Sequence, residues 1–345
     1  MDFSKQLILW YLQNKRDLPW RNDKNPYRIW LSEIILQQTR ISQGIPYYHK
    51  FINIYPEISD LAAAEEDDVL KLWQGLGYYS RGRNLHHTAR YITTNFNGIF
   101  PDDYQTLMKL KGIGDYTASA ISSICFNRPH ATVDGNVQRV LARFFNIHIP
   151  VNSNKGIKIF KELAQELLNT SDPGTHNQAV MELGALVCTP KNPGCDSCPL
   201  QNACEALRYK TTGILPVKEK KIKRRKRYFN FLVFDVQKTH TLLIKRTGKD
   251  IWQNLYQFPL AETEKEITGA GLLEKSIRNY TDDPKFKIRL YNPEAKLHRL
   301  THQDIHIRFW IISTRSLVKK TIEWKNVTNF AVPKPIDNFI KSYQK

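Results

Sequence analysis

Three groups of residues in this 345-residue chain have types and spacings that could do chemistry. Cys188, Cys195, Cys198 and Cys204 are separated by six, two and five residues. Such clustering points to metal rather than disulfides in a reducing compartment. Tetrahedral zinc and an iron–sulfur cluster use the same four thiolates, and spacing alone leaves both open. Two carboxylates form the second group. Glu33 sits in IWLSEIILQQ, a stretch apolar on nearly every side of a helix. A carboxylate there is costly unless paired or protonated, and desolvation favours the protonated form, which suits a general acid. The plainer reading is a surface Glu at the edge of a buried helix. Asp134 lies in VDGNV just ahead of a helix near 136, where an Asp ordinarily serves as N-cap. The third group is Gly112 and Gly114 in LKGIGDYTASAI. Glycine permits a tight turn and close approach, and the helix that follows offers free N–H groups to a phosphate. This is a helix–hairpin–helix pattern; without a ligand it is an ordinary connection between helices.

These residues must be held by something. Apolar residues recur at helical spacing in 5–15, 27–38, 41–54, 66–74, 82–95, 104–110, 116–126, 135–146, 156–169 and 176–188. Pro46, Pro56, Pro101 and Pro173 are expected to punctuate the joints. KEKKIKRRKR at 218–227 reads as a solvated linker. Beyond it the pattern changes: 228–236, 241–246 and 305–314 are short, β-branched and aromatic, and read as strands, with a closing helix over 334–343. The expectation is a multidomain protein: an all-α domain over 1–210, a basic linker over 211–227 and a smaller α+β domain over 228–345.

The net charge of +18 predicts an anionic partner, most simply nucleic acid. It is unevenly placed. Residues 1–204 carry only +2, residues 205–227 carry +8 and residues 228–345 carry +8. The N-terminus lacks a signal-peptide h-region, and no apolar run is long enough to span a bilayer, so a soluble cytoplasmic, nucleoid-associated protein is expected, with no membrane partner.

The motifs taken together resemble the helix–hairpin–helix base-excision glycosylases of the endonuclease III superfamily, and within it most closely the MutY branch. The resemblance rests on PWR at 19–21, WLSEIILQQT at 30–39, GLGYYSRGRNL at 75–85, the hairpin, VDGNVQRVLAR at 133–143, NQAVMELGALVC at 177–188 and the cysteine loop. It is dense over 5–210 and looser beyond. It implies two helical lobes with a cleft between them, a [4Fe–4S] cluster on the four cysteines, and double-stranded DNA with 8-oxoguanine:adenine or guanine:adenine mispairs as substrate, bound by a monomer.

The resemblance also implies roles. Glu33 protonates adenine at N7, and Asp134 stabilises the positive sugar, with Asn136 assisting. Tyr116 stands where bifunctional members carry a lysine that forms a Schiff base; a phenol cannot, so a monofunctional enzyme is expected. Tyr78 intercalates beside the lesion, and Gln37, Gln38 and Thr39 follow the Glu33 helix, with Gln38 and Thr39 contacting the bases. Trp20, Arg21, Leu36 and Glu182 line the adenine pocket, with the Glu182 carboxylate accepting from the N6 amine. Trp20 and Leu36 could equally be core packing. In the C-terminal part, WQNLYQFP at 252–259 resembles Nudix-type folds, yet GAGLLEKSIRNY at 269–280 has one Glu, so recognition is expected rather than pyrophosphate hydrolysis. Leu300-Thr301-His302 stands where the family places its lesion-reading loop, with Leu replacing an aromatic; otherwise it is a β-turn. Two other functions fit parts of the pattern: a thymine or uracil mismatch glycosylase, and a non-catalytic cluster-bearing DNA binder.

Overall fold

A computed structural model describes residues 3–219 and 224–344. The chain divides into two compact units. The first runs to Ala63 and resumes at Asn84 as far as the basic segment; the second joins Ala64–Arg83 to the C-terminal part.

The first unit is helical. It contains α1 (Phe3–Asn14), α2 (Pro26–Leu36), α3 (Ile41–Ile54) and α4 (Ile58–Ala63). After the excursion into the second unit, which holds α5 (Glu66–Leu72) and the start of α6 (Ser80–Phe96), it continues with α7 (Tyr104–Lys109), α8 (Asp115–Phe126), α9 (Gly135–Phe144), α10 (Asn154–Glu166), α11 (Pro173–Leu186) and the short α12 (Glu205–Arg208). Local chemistry sets several starts. Asn25 caps α2 by accepting from the Tyr27 and Arg28 amides, with Pro26 at the first helical position. Asp172 caps α11 ahead of Pro173 in the same way. Phe3, Leu7 and Tyr11, spaced four apart on α1, bury one stripe against Val137, Val140 and Leu141 of α9 and Val180 and Leu183 of α11. In α2 the residues Tyr27, Ile29, Trp30, Leu31, Ile34 and Ile35 are all buried, so Glu33 rides on a helix sealed on most of its circumference.

The second unit carries β1 (Arg225–Val236), β2 (His240–Thr241), β3 (Ile244–Lys245), β4 (Tyr256–Gln257), β5 (Leu260–Thr263), α13 (Glu274–Arg278), β6 (Lys287–Leu290), β7 (Lys296–Arg299), β8 (Gln303–Thr314), β9 (Ile322–Glu323) and α14 (Lys334–Tyr343). Its centre is a parallel pair, β1 and β8, in register from Arg225↔Gln303 to Val236↔Thr314. Both faces of that pair are covered, which explains the nearly continuous apolar runs. Phe309 stacks on Phe231 and on Phe339 of α14, while Leu232, Phe234, Trp310 and Ile312 pack with Ile267, Leu273 and Ile277 on the opposite face.

The segment Ala64–Arg83 is bound into this unit by many polar contacts. Asp67 accepts from Lys245 Nζ and from the Tyr256 phenol at 2.9 Å, Lys71 donates to the Thr328 and Phe330 carbonyls, and Gln74 donates to Asp337 at 3.2 Å.

Several sequence expectations need correction. Pro46 lies inside α3 rather than at a joint, where it removes one intrahelical hydrogen bond without ending the helix. The strand expected at 241–246 is two dibridged pieces: β2 in the main sheet and β3 paired with β4 in a separate one. The basic run does not remain linker to 227, because β1 begins at Arg225 and Arg227 is buried between Asp250 and Glu262. Leu215 is also buried, accepting from Arg143 Nε, and Val151 N donates to Val217 O, so this stretch packs on the first unit. Residues 220–223 of the run lie outside the described residues. No described helix is long and apolar enough to cross a membrane.

Candidate active site

A cavity of about 520 Å3 opens in the first unit. Trp20, Arg21, Glu33, Leu36, Gln37, Gln38, Thr39, Tyr116, Asp134, Asn136 and Glu182 all line it. Residues drawn from five segments of sequence are therefore brought to one place.

Glu33 is raised to about 7 by burial; the nearby Tyr116 phenol and the charge of Arg21 pull the other way, while Asp134 adds to the rise. Tyr116 comes from the first turn of α8, and its phenol also lies 3.3 Å from Met181 Sδ. Burial pushes the phenol well above its ordinary range, with Glu33 and Asp134 adding to the effect, so it remains a donor at neutral pH. The site thus contains a carboxylic acid poised near neutrality beside a permanently protonated phenol.

Asp134 is the N-cap of α9. Its Oδ1 accepts from the Asn136 amide at 2.9 Å and the Val137 amide at 2.8 Å, and its Oδ2 accepts from Asn136 Nδ2 at 2.7 Å. Burial raises its pKa, against these donors and Arg139. The N-cap geometry and the cavity position are both real and do not exclude one another. Asn136 in turn accepts from Arg139 Nη2 at 2.8 Å, which fixes the amide's orientation.

Glu182 differs from expectation. Its carboxylate is already engaged: Arg16 donates from its backbone N and Nε to Oε1, both at 2.9 Å, and from Nη2 to Oε2 at 2.7 Å, while Arg21 donates at 3.0 and 2.8 Å. Burial works against ionisation here, but the two guanidinium groups overcome it and hold the carboxyl at about 2. Five donors fill the lone pairs that an adenine amine would need, so Glu182 acts on this wall by orienting the arginines. Trp20 is buried edge-on against Tyr48, 5.3 Å between ring centroids, so it packs and lines at once.

Gln37 caps the C-terminal end of α2 and donates to Thr117 at 3.3 Å; Gln38 is exposed with φ +60°, turning the chain sharply ahead of Thr39. In the hairpin between α7 and α8, Gly112 has φ +85°, and a Cβ there would meet Asn84 Cβ at 2.7 Å, so only glycine fits. Gly114 is the N-cap of α8, with open space where its Cβ would be. Neither glycine lines the cavity.

Cys188, Cys195, Cys198 and Cys204 line one small cavity of their own, framed by Arg143, Val187 and Leu207, with all four thiols free of disulfides. Arg143 Nη1 reaches Cys188 Sγ at 3.4 Å and the Thr189 carbonyl at 2.7 Å; Arg139 Nε donates to the Cys188 carbonyl at 2.7 Å. Among the described residues, no three His, Cys, Asp or Glu side chains are arranged to hold a single metal ion. Four soft thiols around one cavity, with arginines ready to offset thiolate charge, fit a group that takes four cysteine ligands.

Tyr78, Thr301 and His302 are not in the Glu33 cavity; they belong to the second unit. Leu300 N donates to Gln303 O at 2.8 Å, closing a tight turn between β7 and β8 with Thr301 and His302 exposed at its tip. The loop is a tight connection between the two strands, and Thr301 and His302 also line a cavity. The Tyr78 phenol and Thr301 Oγ1 are 2.9 Å apart, and both line a cavity of about 490 Å3 with Trp252, His298, Arg83 and Lys334. Asp250, at its edge, is held by Arg227 and Arg246.

Sequence reasoning missed Arg16, Gln178 and Met181 on the first cavity, and Trp252 and His298 on the second. Arg16 stands four residues before Trp20 in a run of surface-like charges, and nothing local separates it from Lys15. Met181 directly precedes Glu182, the one available signal.

Residues 31–170 match the family described as HhH-GPD superfamily base excision DNA repair protein, and residues 230–342 match a NUDIX domain. Over 356 aligned residues the chain is 36% identical to the adenine DNA glycosylase of Buchnera aphidicola subsp. Baizongia pistaciae, covering 99% of this chain and 97% of that protein. The Mus musculus adenine DNA glycosylase is 45% identical over 213 residues, covering 59% of this chain and 41% of that one. The solved structure of a thermostable thymine-DNA glycosylase is similar over 60% of this chain and 95% of its own, with TM-score 0.56 and 27% identity. Only part of this chain is matched by that thymine-DNA glycosylase, whereas the Buchnera relative is matched through both domains. A helical base-excision domain, a Nudix-like domain and a full-length match of this closeness lead to one assignment: the chain belongs to the adenine DNA glycosylases, DNA-repair enzymes that excise adenine.

Proposed function

We propose that this glycosylase removes adenine mispaired with 8-oxoguanine, or with guanine, by hydrolysis alone. The observation that carries the reading is the pair Glu33 and Asp134 on one cavity, with Glu33 raised to about 7 by burial while Asp134 is held by three donors. Two carboxyl groups in unlike environments divide acid and electrostatic work.

Adenine inside a duplex cannot reach Glu33, so the nucleotide is extruded into the cavity first. Glu33 gives its proton to adenine N7. The C1′–N9 bond breaks, its electron pair leaves with the base, and the sugar becomes an oxocarbenium ion. Asp134, as carboxylate, stabilises that cation, and water adds at C1′ with loss of a proton. Tyr116 lies on the same wall and tempers the rise of the Glu33 carboxyl, and Arg16 and Arg21 are set on that wall by Glu182. With a phenol at 116 no amine is placed for a Schiff base, which supports a monofunctional reaction.

The amides around Gly112, Gly114 and the α8 start suit a backbone phosphate of double-stranded DNA. Tyr78 is read as the ring inserted beside the lesion, with Gln38, Thr39 and Thr301 contacting the opposed bases and His302 beside them. Cys188, Cys195, Cys198 and Cys204 would hold a [4Fe–4S] cluster; bound there, it would tie the loop at four points. The enzyme is read as a monomer acting on the nucleoid in the cytoplasm.

The test is a panel of 8-oxoguanine:A, G:A, G:T and G:U duplexes, treated with alkali to reveal abasic sites. Cleavage at adenine in the first two, and none before alkali, is the expected result. Release of thymine or uracil instead of adenine would overturn the reading.

A further inference from the structure

The loop carrying Tyr78 has an unusual backbone. Gly75, Gly77 and Tyr78 have φ of +108°, +73° and +44°. Glycine takes such values freely; for a tyrosine the left-handed region costs on the order of 1–3 kcal/mol and persists only where surroundings impose it.

The surroundings here are specific. Trp73 Nε1 donates to the Gly77 carbonyl at 3.0 Å. Arg81 Nη2 donates to the carbonyls of Leu76 and Gly77, both at 3.3 Å. The same guanidinium lies over both neighbouring rings, 5.2 Å from the Trp73 centroid and 5.7 Å from the Tyr78 centroid. Gly82 completes the arrangement: a Cβ there would press within 3.1 Å of the Trp73 ring, so glycine lets the indole lie against the start of α6. Arg81 is only 8% exposed, whereas the Tyr78 ring is 51% exposed with its hydroxyl on Thr301. The ring is thus supported at its base by Arg81 and at its tip by Thr301.

We propose that Arg81 is the positioning residue of the Tyr78 ring in lesion-selective excision. It fixes the Leu76–Tyr78 backbone and underlies the ring, so ring and Thr301 meet the strand opposite adenine as one preset element. This rests on reading Tyr78 as the inserted ring. A guanidinium is needed, because only a flat delocalised cation can lie over two rings while reaching two carbonyls; a lysine supplies charge without that plane.

The test uses the full chain and single-turnover excision from 8-oxoguanine:A and G:A duplexes, with 2-aminopurine beside the 8-oxoguanine as a stacking reporter. Arg81→Met and Arg81→Lys are each expected to lower the ratio of the two rates ~10-fold, equivalent to about 1.4 kcal/mol, and to blunt the fluorescence response. Trp73→Phe, which keeps a ring but loses the Gly77 bond, lowers the ratio less. General destabilisation reduces the active fraction equally on both duplexes and leaves the ratio intact, so the ratio separates positioning from folding; if Arg81→Met does not fold, Arg81→Lys decides. Tyr78→Leu tells the two readings apart. If it lowers ratio and fluorescence while the folded Arg81 variants leave both unchanged, Arg81 has no positioning role. If Tyr78→Leu itself changes neither, the reading of Tyr78 fails, and this inference with it.

Discussion

The Tyr116 phenol and the Glu33 carboxyl face one cavity, which Asp134 also lines, and each shifts the other: the phenol pulls Glu33 down against burial, and Glu33 adds to the rise of the phenol. Burial lifts Glu33 toward neutrality, and the phenol tempers that lift. The reactivity of this carboxyl therefore has a stability consequence.

Glu33 at about 7 in the folded chain stands above its ordinary 4.5. Its neutral form costs little below the ordinary value, and the stability that goes with that form is lost as pH rises through about 7, on the order of 3 kcal/mol in all. Glu33→Gln stays neutral throughout. Thermal melts should show the variant gaining on the wild type between pH 4.5 and 8; a difference in Tm that does not vary with pH would mean Glu33 ionises as freely folded as unfolded.

Asp134 caps α9 and faces the cavity, and two substitutions separate these duties. Asn caps as well as Asp, so Asp134→Asn should leave stability within about 0.5 kcal/mol, whereas Asp134→Ala loses ~1 kcal/mol more. Both should slow single-turnover excision by about 100-fold or more through loss of the charge. If Asp134→Asn alters only DNA affinity, the residue is a cap and nothing else.

Tyr116→Lys places an amine beside Glu33 at the point where the sugar cation forms. Borohydride should then trap a covalent protein–DNA adduct that the wild type does not give. No adduct from a folded, DNA-binding variant would show that the amine cannot reach C1′.

The four thiols predict bound iron and sulfide in equal amounts. Cys198→Ser should lower both and reduce Tm, read without reference to excision. One equivalent of zinc in the wild type, with no sulfide, would contradict the cluster.

Much of this was legible because local chemistry and tertiary role coincide. The α2 sequence is apolar on nearly all sides, so a dry place for Glu33 was one of two readings, and the cavity decides for it; VDGNV both caps a helix and exposes a carboxylate to the cavity. The charge count was informative in a similar way: it indicated an anionic partner, while the nearly neutral helical part holds the cavity lined by Glu33 and Asp134. The pairing of Glu182 with Arg16 was not legible, because the two lie 166 residues apart and no periodicity encodes it. The short strands β4 to β7 and β9 also escaped, since two to four residues carry no period of their own: β5, β6 and β7 are fixed by β1 or β8, β4 by β3 and β9 by β2. The grouping of Ala64–Arg83 with the C-terminal part was equally hidden, because its basis is contacts such as Asp67 with Lys245 across 178 residues.

The most direct test of the central claim is the pH dependence of single-turnover adenine excision from an 8-oxoguanine:A duplex, for wild type and Glu33→Gln. With Glu33 as proton donor at about 7, the wild-type rate should fall ~10-fold per pH unit above that value, and Glu33→Gln should be at least ~100-fold slower with no such descent. A wild-type rate that is flat to pH 9, or a Glu33→Gln enzyme as fast as wild type, would contradict it.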